Sequence, residues 1–178
     1  QELKNHDIEM LQPDINKSGS DFRVEEMEGS GALAIRYALS AIKNVGGPAM
    51  DVLEQERIAN GPFSDLSDFI ARVDGKSVNK RSLENLIKSG AFDCIQKSRA
   101  ELFEGRDIIM RHVNAANDES KKDQQSLFTG EETTQINRFK LPSFEEWPAL
   151  KKLRNEFEAI GFYLNAHQIH QYHQNQIS

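Results

Sequence analysis

Val78-Asn79-Lys80-Arg81-Ser82-Leu83-Glu84-Asn85-Leu86-Ile87-Lys88-Ser89-Gly90-Ala91-Phe92-Asp93 reads as a helix with both ends marked. Asn79 offers a side-chain oxygen to the N–H groups that a first helical turn leaves without partners. Leu83, Leu86 and Ile87 recur on one helical face. Gly90 stands where the chain enters left-handed backbone to stop, and Phe92 is expected to fold back onto the helix.

The same marks extend upstream. Leu66, Phe69, Ile70 and Val73 follow i, i+3, i+4, i+7 behind Ser64 as N-cap, and Asp74-Gly75 closes that helix. Pro48 suits the first residue of an earlier helix with Ala49, Val52 and Leu53 on one face, running to about Ile58 before Asn60-Gly61-Pro62. Before it, Leu33, Ile35 and Tyr37 alternate with Ala34 and Arg36 as a short strand. Leu39, Ala41 and Ile42 suggest a brief helix, broken at Val45-Gly46-Gly47-Pro48. Residues 1–30, with a turn-forming cluster from Asp14 to Ser20 and many acidic side chains, read as the trailing edge of a preceding domain. The chain opens on Gln1, which is expected of a piece cut from something longer.

Downstream, Ser98 and Glu101 have capping-box spacing, and Leu102, Phe103, Ile109, Met110 and Val113 mark the inner face of the helix they start. From Asn114 to about Arg138 the periodicity disappears into polar residues, which predicts a flexible linker interrupted by Leu127-Phe128. Leu141-Pro142, Phe144 and Trp147-Pro148 read as chain packed onto a surface. Leu150, Leu153, Phe157 and Ile160 predict a last amphipathic helix, ended by Gly161. The fold class is mainly α: a small helical domain with tandem helix-hairpin-helix motifs and a short strand over residues 31–113, a linker over 114–140, and a further helix over 141–178.

The 178 residues suffice for one ordinary domain or two small ones, and 38% hydrophobic with 28% charged residues suits a soluble globular chain. No apolar run is long enough for a membrane span. Cys94 is the single cysteine, so neither an internal disulfide nor a cysteine zinc site is available, and a cytoplasmic setting is expected. The net charge of −6 is uneven: residues 1–30 carry −5, residues 31–111 carry +1 and residues 112–178 carry −2. Within 76–88, Lys76, Lys80, Arg81 and Lys88 oppose Glu84 alone. A local basic patch is therefore hidden by the total.

Two glycine turns between helices, at Val45-Gly46-Gly47 and Ser89-Gly90-Ala91-Phe92, can present backbone N–H groups and a helix dipole to a phosphate. Lys43 lies before the first, and Lys80, Arg81 and Lys88 flank the second, where they can touch the DNA backbone directly. The candidate DNA-binding set is thus Lys43, Val45, Gly46, Gly47, Lys80, Arg81, Lys88 and Gly90. An ordinary helical corner with solvated lysines gives the same pattern. Gln124-Gln125-Ser126-Leu127-Phe128 places an apolar pair in a polar stretch, which suits a partner's pocket, with Gln124 hydrogen-bonding at its rim. Gly75-Lys76-Ser77 lacks the first glycine of a phosphate-binding loop, since Ile70 stands there. His167, His170 and His173 have no carboxylate partner and no helix to align them for a metal. No arrangement with a catalytic signature stands out.

In order along the chain, Leu11–Ser18, Ala34–Gly46, Gly61–Phe69, Val78–Asp93, Gln124–Phe128 and Gly161–His167 resemble the C-family replicative DNA polymerases of bacteria, the polymerase III α subunits. The resemblance implies that residues 1–30 end the fingers and that 31–113 form a tandem helix-hairpin-helix domain gripping duplex DNA. It implies that Gln124, Leu127 and Phe128 dock on the β sliding clamp, and that Gly161 onward leads to an OB-fold. It places the catalytic carboxylates and their Mg upstream of residue 1, so no active site and no cofactor are expected in this chain, and other replicase subunits are reached through the parent. Ala38 and Asn44 depart from the family pattern, where glycines are expected, although Asn tolerates left-handed backbone. The rival reading is a helical adaptor that presents the clamp-binding peptide without touching DNA.

Overall fold

The computed structural model describes residues 8–123 and 139–164. Three short strands, β1 (Glu9–Leu11), β2 (Arg23–Glu26) and β3 (Leu33–Arg36), form a sheet in the order β1-β3-β2. β1 runs parallel to β3 with Met10 opposite Ile35, and β2 runs antiparallel with Val24 opposite Ile35. Arg36 pairs with Glu25 across this sheet and donates to the Gln12 carbonyl at 2.8 Å. The alternation over 33–37 therefore marks a true strand. The boundary expected at residue 30 does not divide the structure, because β1 and β2 come from one side of it and β3 from the other. Strands of three and four residues with exposed Val24 and several glutamates are too short to show a period of two.

A 3-10 turn (Leu39–Ala41) then leads to α1 (Gly47–Asn60), α2 (Leu66–Arg72), α3 (Lys80–Lys88), α4 (Arg99–Glu104), α5 (Arg106–Asp123) and α6 (Ala149–Ile160). At α3 the two ends are as read: Asn79 accepts from the Ser82 N–H at 2.9 Å, the Ser82 hydroxyl accepts from the Asn79 N–H at 3.0 Å, and Gly90 has φ +84°. Leu83, Leu86 and Ile87 are fully buried, a stabilisation of roughly 1.5–3 kcal/mol for each side chain. The centre of the core is an aromatic run in which Phe63, Phe69 and Phe92 meet edge-on at 5.1 and 4.9 Å.

Six details of the helices differ from the sequence reading: Val52 of α1 turns outward while Met50 and Leu53 are buried, Gly105 divides the expected helix after Ser98 into α4 and α5, and four more follow. Asp65, not Ser64, caps α2, accepting from the Asp68 N–H at 2.8 Å, while the Ser64 N–H donates to the Asp68 carboxylate. Half of the Ser98/Glu101 capping box forms: Ser98 Oγ accepts from the Glu101 N–H at 3.2 Å, but the Glu101 carboxylate turns to Gln96. α5 continues through 114–123, where a linker was expected, and the polar Asn114 and Asn117 make contacts within it. Asn117 Nδ2 bonds the Val113 carbonyl, and Asn114 and Asn117 close over Gly75, where a Cβ would meet them at 2.9 and 2.8 Å. In α6 the buried residues are Asn155, Ala159 and Ile160, whereas Leu150 and Phe157 are exposed, so the inner face is rotated from the one the large apolar residues suggest.

Residues 139–164 fold back over α3 and α4. Glu146 accepts from the Arg99 and Ala100 N–H groups at 3.1 and 3.2 Å, capping α4 from a distant part of the chain. Trp147 packs on Phe103 at 5.5 Å. The buried Arg99 binds Asp93 at 2.8 Å and Glu156 at 2.7 Å, joining α4, the turn after α3 and α6.

Candidate nucleic-acid interface

The turn into α1 is built on Asn44, the one described non-glycine residue with positive φ, at 61°. Its short amide side chain tolerates that backbone. Val45 then anchors the turn, its side chain buried and its N–H bonded to the Ile42 carbonyl at 3.2 Å. Gly46 is the N-cap of α1, extended at φ −78° and ψ 134°, and no side chain caps the helix. The first backbone bond of the helix runs from Met50 N to Gly46 O, and Pro48 has no N–H. The N–H groups of Gly47 and Ala49 therefore leave the end of a 14-residue helix with no acceptor among the described residues. Such an end carries the positive pole of the helix dipole.

Nothing among the described residues requires glycine at these two positions. A Cβ added at Gly46 would come no closer than 3.9 Å to Ala49, and one at Gly47 no closer than 3.8 Å to Ser40. Neither residue has positive φ. What glycine does here is leave the backbone bare toward solvent, so that an outside group can approach the N–H groups closely.

The hairpin is held from behind. The N–H groups of Leu39 and Ser40 donate to Gly19 and Ser20 carbonyls, and Ser40 Oγ reaches the Ser20 carbonyl at 2.6 Å. That loop is fixed in turn by α1: buried Arg57 donates to the Ile15 and Ser18 carbonyls at 2.6 and 2.7 Å, and buried Glu54 accepts from the Ser20 N–H at 2.8 Å and pairs with Arg23. Sequence reading missed Glu54 and Arg57, because charged residues on the inner face of a helix look like solvated ones. On the other flank the Lys43 N–H donates to the Ala159 carbonyl at the end of α6, while its side chain is exposed.

The second turn is of another kind. Gly90 is buried, and a Cβ there would collide with Gln12 Nε2 at 2.2 Å and Arg99 Nη2 at 2.4 Å. Gln12 Nε2 donates to its carbonyl at 2.8 Å. The next helix begins only at Arg99, with its first N–H groups taken by Ser98 and Glu146. Gly90 is therefore a packing glycine and not an open cradle, which corrects its place in the candidate set. Lys88 pairs its ammonium with Glu158 at 3.1 Å and lies 5.5 Å from the Phe103 ring centre. The Arg81 guanidinium is exposed with no hydrogen-bond or ion-pair partner among the described residues. Lys80 pairs with Asp107 at 2.8 Å, but both side chains are at least half exposed, so a phosphate can compete for the ammonium. The hydrogen bond from Lys80 holds the Asp107 carboxyl below its ordinary range.

Gln124, Leu127 and Phe128 lie outside the described residues, as do His167, His170 and His173. Among the described residues no group of three His, Cys, Asp or Glu could hold a metal ion, and no helix is long and apolar enough to cross a membrane.

The family model described as "Helix-hairpin-helix motif" matches residues 7–102, which include the glycine turn and the uncapped start of α1. The chain belongs to that helix-hairpin-helix family. It is similar over nearly its whole length to DNA polymerase III subunit alpha. With the Caulobacter vibrioides protein it is 38% identical over 167 residues, 94% of this chain and 14% of the relative. With that of Borreliella burgdorferi it is 39% identical over 174 residues, 97% and 15%, and with that of Campylobacter jejuni 35% identical over 176 residues, 97% and 14%. The chain thus spans about a seventh of the length of the curated relatives it matches.

Proposed function

We propose that this chain is a non-catalytic part of a bacterial DNA polymerase III α subunit that holds duplex DNA without regard to sequence and docks on the β sliding clamp. The observation that carries the DNA part is the bare, uncapped start of α1 at Gly46-Gly47, with exposed Lys43 beside it. Backbone N–H groups and lysines bind phosphates and carry no information about base sequence. Lys80 and Arg81 at the start of α3 add a second contact. In this reading the chain continues from the fingers and leads, beyond Gly161, toward an OB-fold, while polymerisation and its Mg belong to other parts of the parent.

The test is fluorescence anisotropy of a labelled 20-base-pair duplex across a salt series. With two to four phosphates contacted, the log–log slope should be about −2 to −4. Gly46→Ala with Gly47→Ala should fold normally and weaken binding, and Lys80→Ala with Arg81→Ala should flatten the slope. Binding indifferent to salt, or unchanged in the glycine variant, refutes the interface.

The clamp part rests on an apolar Leu127-Phe128 pair in a polar stretch behind Gln124, and on the similarity to the polymerase subunits. Phe128→Ala should cost about 2 kcal/mol of clamp affinity, about thirtyfold, with the helix content untouched. If the Leu127→Ala, Phe128→Ala double variant keeps its affinity, the motif is not the docking element. Clamp binding without any DNA binding would leave the adaptor reading.

A further inference from the structure

On the outer side of α1, between that helix and the turn that joins α2 to α3, lies a cleft of about 550 Å3. Its volume falls within the roughly 300–1,000 Å3 typical of ligand sites. Val52, Leu53, Phe63 and Val73 make an apolar floor, and Asp51, Glu56 and Asp74 stand around it. Val52 is 52% exposed there, an apolar side chain turned outward beside the buried Leu53.

The single cation among the described lining residues, Arg72, has all five N–H groups engaged, two of them on the Pro62 and Glu56 carbonyls at 3.3 and 3.5 Å. Its Nε binds Glu56 at 3.0 Å, Nη1 binds Asp68 at 3.0 Å, Nη2 binds the Gly61 carbonyl at 2.7 Å, and its guanidinium lies 4.4 Å from the Phe63 ring centre. It builds a wall and cannot receive an anion. Asp51 and Asp74 are exposed and make no ion pair among the described residues. The cleft is thus greasy at its base and anionic at its rim, three carboxylates against one committed guanidinium. That charge repels nucleic acid and acidic peptides alike.

We propose that this cleft binds a basic peptide segment of a partner protein. One aliphatic or aromatic side chain of the segment enters against Val52, Phe63 and Val73, and Lys or Arg residues on either side of it pair with Asp51 and Asp74. The apolar anchor supplies most of the affinity, and the flanking charges select the partner. The site is separate from the reading of the α1 start and stands whether or not that start binds DNA.

The experiment uses the full chain and dansyl-labelled hexapeptides. Lys-Lys-Leu-Phe-Lys-Lys should bind at least tenfold more tightly than Glu-Glu-Leu-Phe-Glu-Glu, which keeps the anchor, and than Lys-Lys-Ser-Ser-Lys-Lys, which keeps the charge. Ala59→Trp puts an indole into the cleft from the exposed side of α1 and should abolish binding of the first peptide. Asp74→Lys should reduce it at least several-fold while circular dichroism is unchanged, so that one variant remains informative if the other fails to fold. Equal binding of the Lys- and Glu-flanked peptides would overturn the proposal, as would full affinity in a folded Ala59→Trp variant. It would also fall if the chain filled the cleft with a second copy of itself, seen as dimerisation that Ala59→Trp removes.

Discussion

Gly90 and Gly46 sit in turns that look alike in the sequence, yet a methyl group should act on them in opposite ways. At Gly90 the added Cβ meets φ +84° and the side chains of Gln12 and Arg99, so Gly90→Ala should lower stability by about 2 kcal/mol or more, read as a fall in the urea midpoint with an unchanged slope. At Gly46 the backbone is ordinary and the space is open, so Gly46→Ala should leave that midpoint within about 0.5 kcal/mol of the parent. Asn79→Ala, by contrast, removes one half of a closed capping box and should cost about 1 kcal/mol in the same titration. The first hairpin of the candidate site was legible because Asn44, Gly46, Gly47 and Pro48 act locally. The burial of Gly90 was not, since Gln12 is 78 positions away in the chain.

Among the elements, those with apolar faces were readable and those fastened by polar groups were not. α2 and α3 follow their leucines and phenylalanines, whereas α5 beyond Val113 sets Asn114 and Asn117 against a glycine backbone, and α6 buries Asn155 and Ala159 and is tied by ion pairs. Arg99→Met tests that orientation. Removing a charge whose side chain is 5% exposed strands Asp93 and Glu156 and should cost about 3 kcal/mol, measurable by thermal or urea unfolding. Acid should loosen the same region. Burial alone would raise the carboxyl of Glu146, but the N–H groups of Trp147, Ala100 and Arg99 outweigh it and hold it below its usual value of 4.5. Arg36 lowers Glu25, and the Ser64 N–H lowers Asp68, in the same direction. Depressed carboxyls bind protons less readily folded than unfolded, so their stabilisation is complete above the ordinary carboxylate range and is lost as pH falls through the folded values. Stability should therefore be flat from about pH 6 to 8 and decline below about pH 4.5, and Glu146→Gln should shallow that decline. A rise in stability on acidification would contradict these contacts.

At the scale of the molecule, the sequence conveyed the order of helices and concealed how the two ends of the described chain share one body. Residues 9–36, expected to trail from something else, contribute a sheet and the loop that Arg57 and Glu54 grip, while a total charge of −6 hides a helix start whose positive pole is made of peptide groups. The return of residues 139–164 has a consequence for connectivity. Glu146 on the start of α4, Trp147 on Phe103, Glu156 on Arg99, Glu158 on Lys88 and the Ala159 carbonyl on Lys43 together form a clasp that does not depend on the peptide bonds between α5 and Phe139. A site-specific protease site inserted between residues 124 and 138 should therefore yield, after cutting, two polypeptides that leave a gel-filtration column together under native conditions and separate in urea. The contacts between residues 8–123 and 139–164 close the fold without the covalent connection between them.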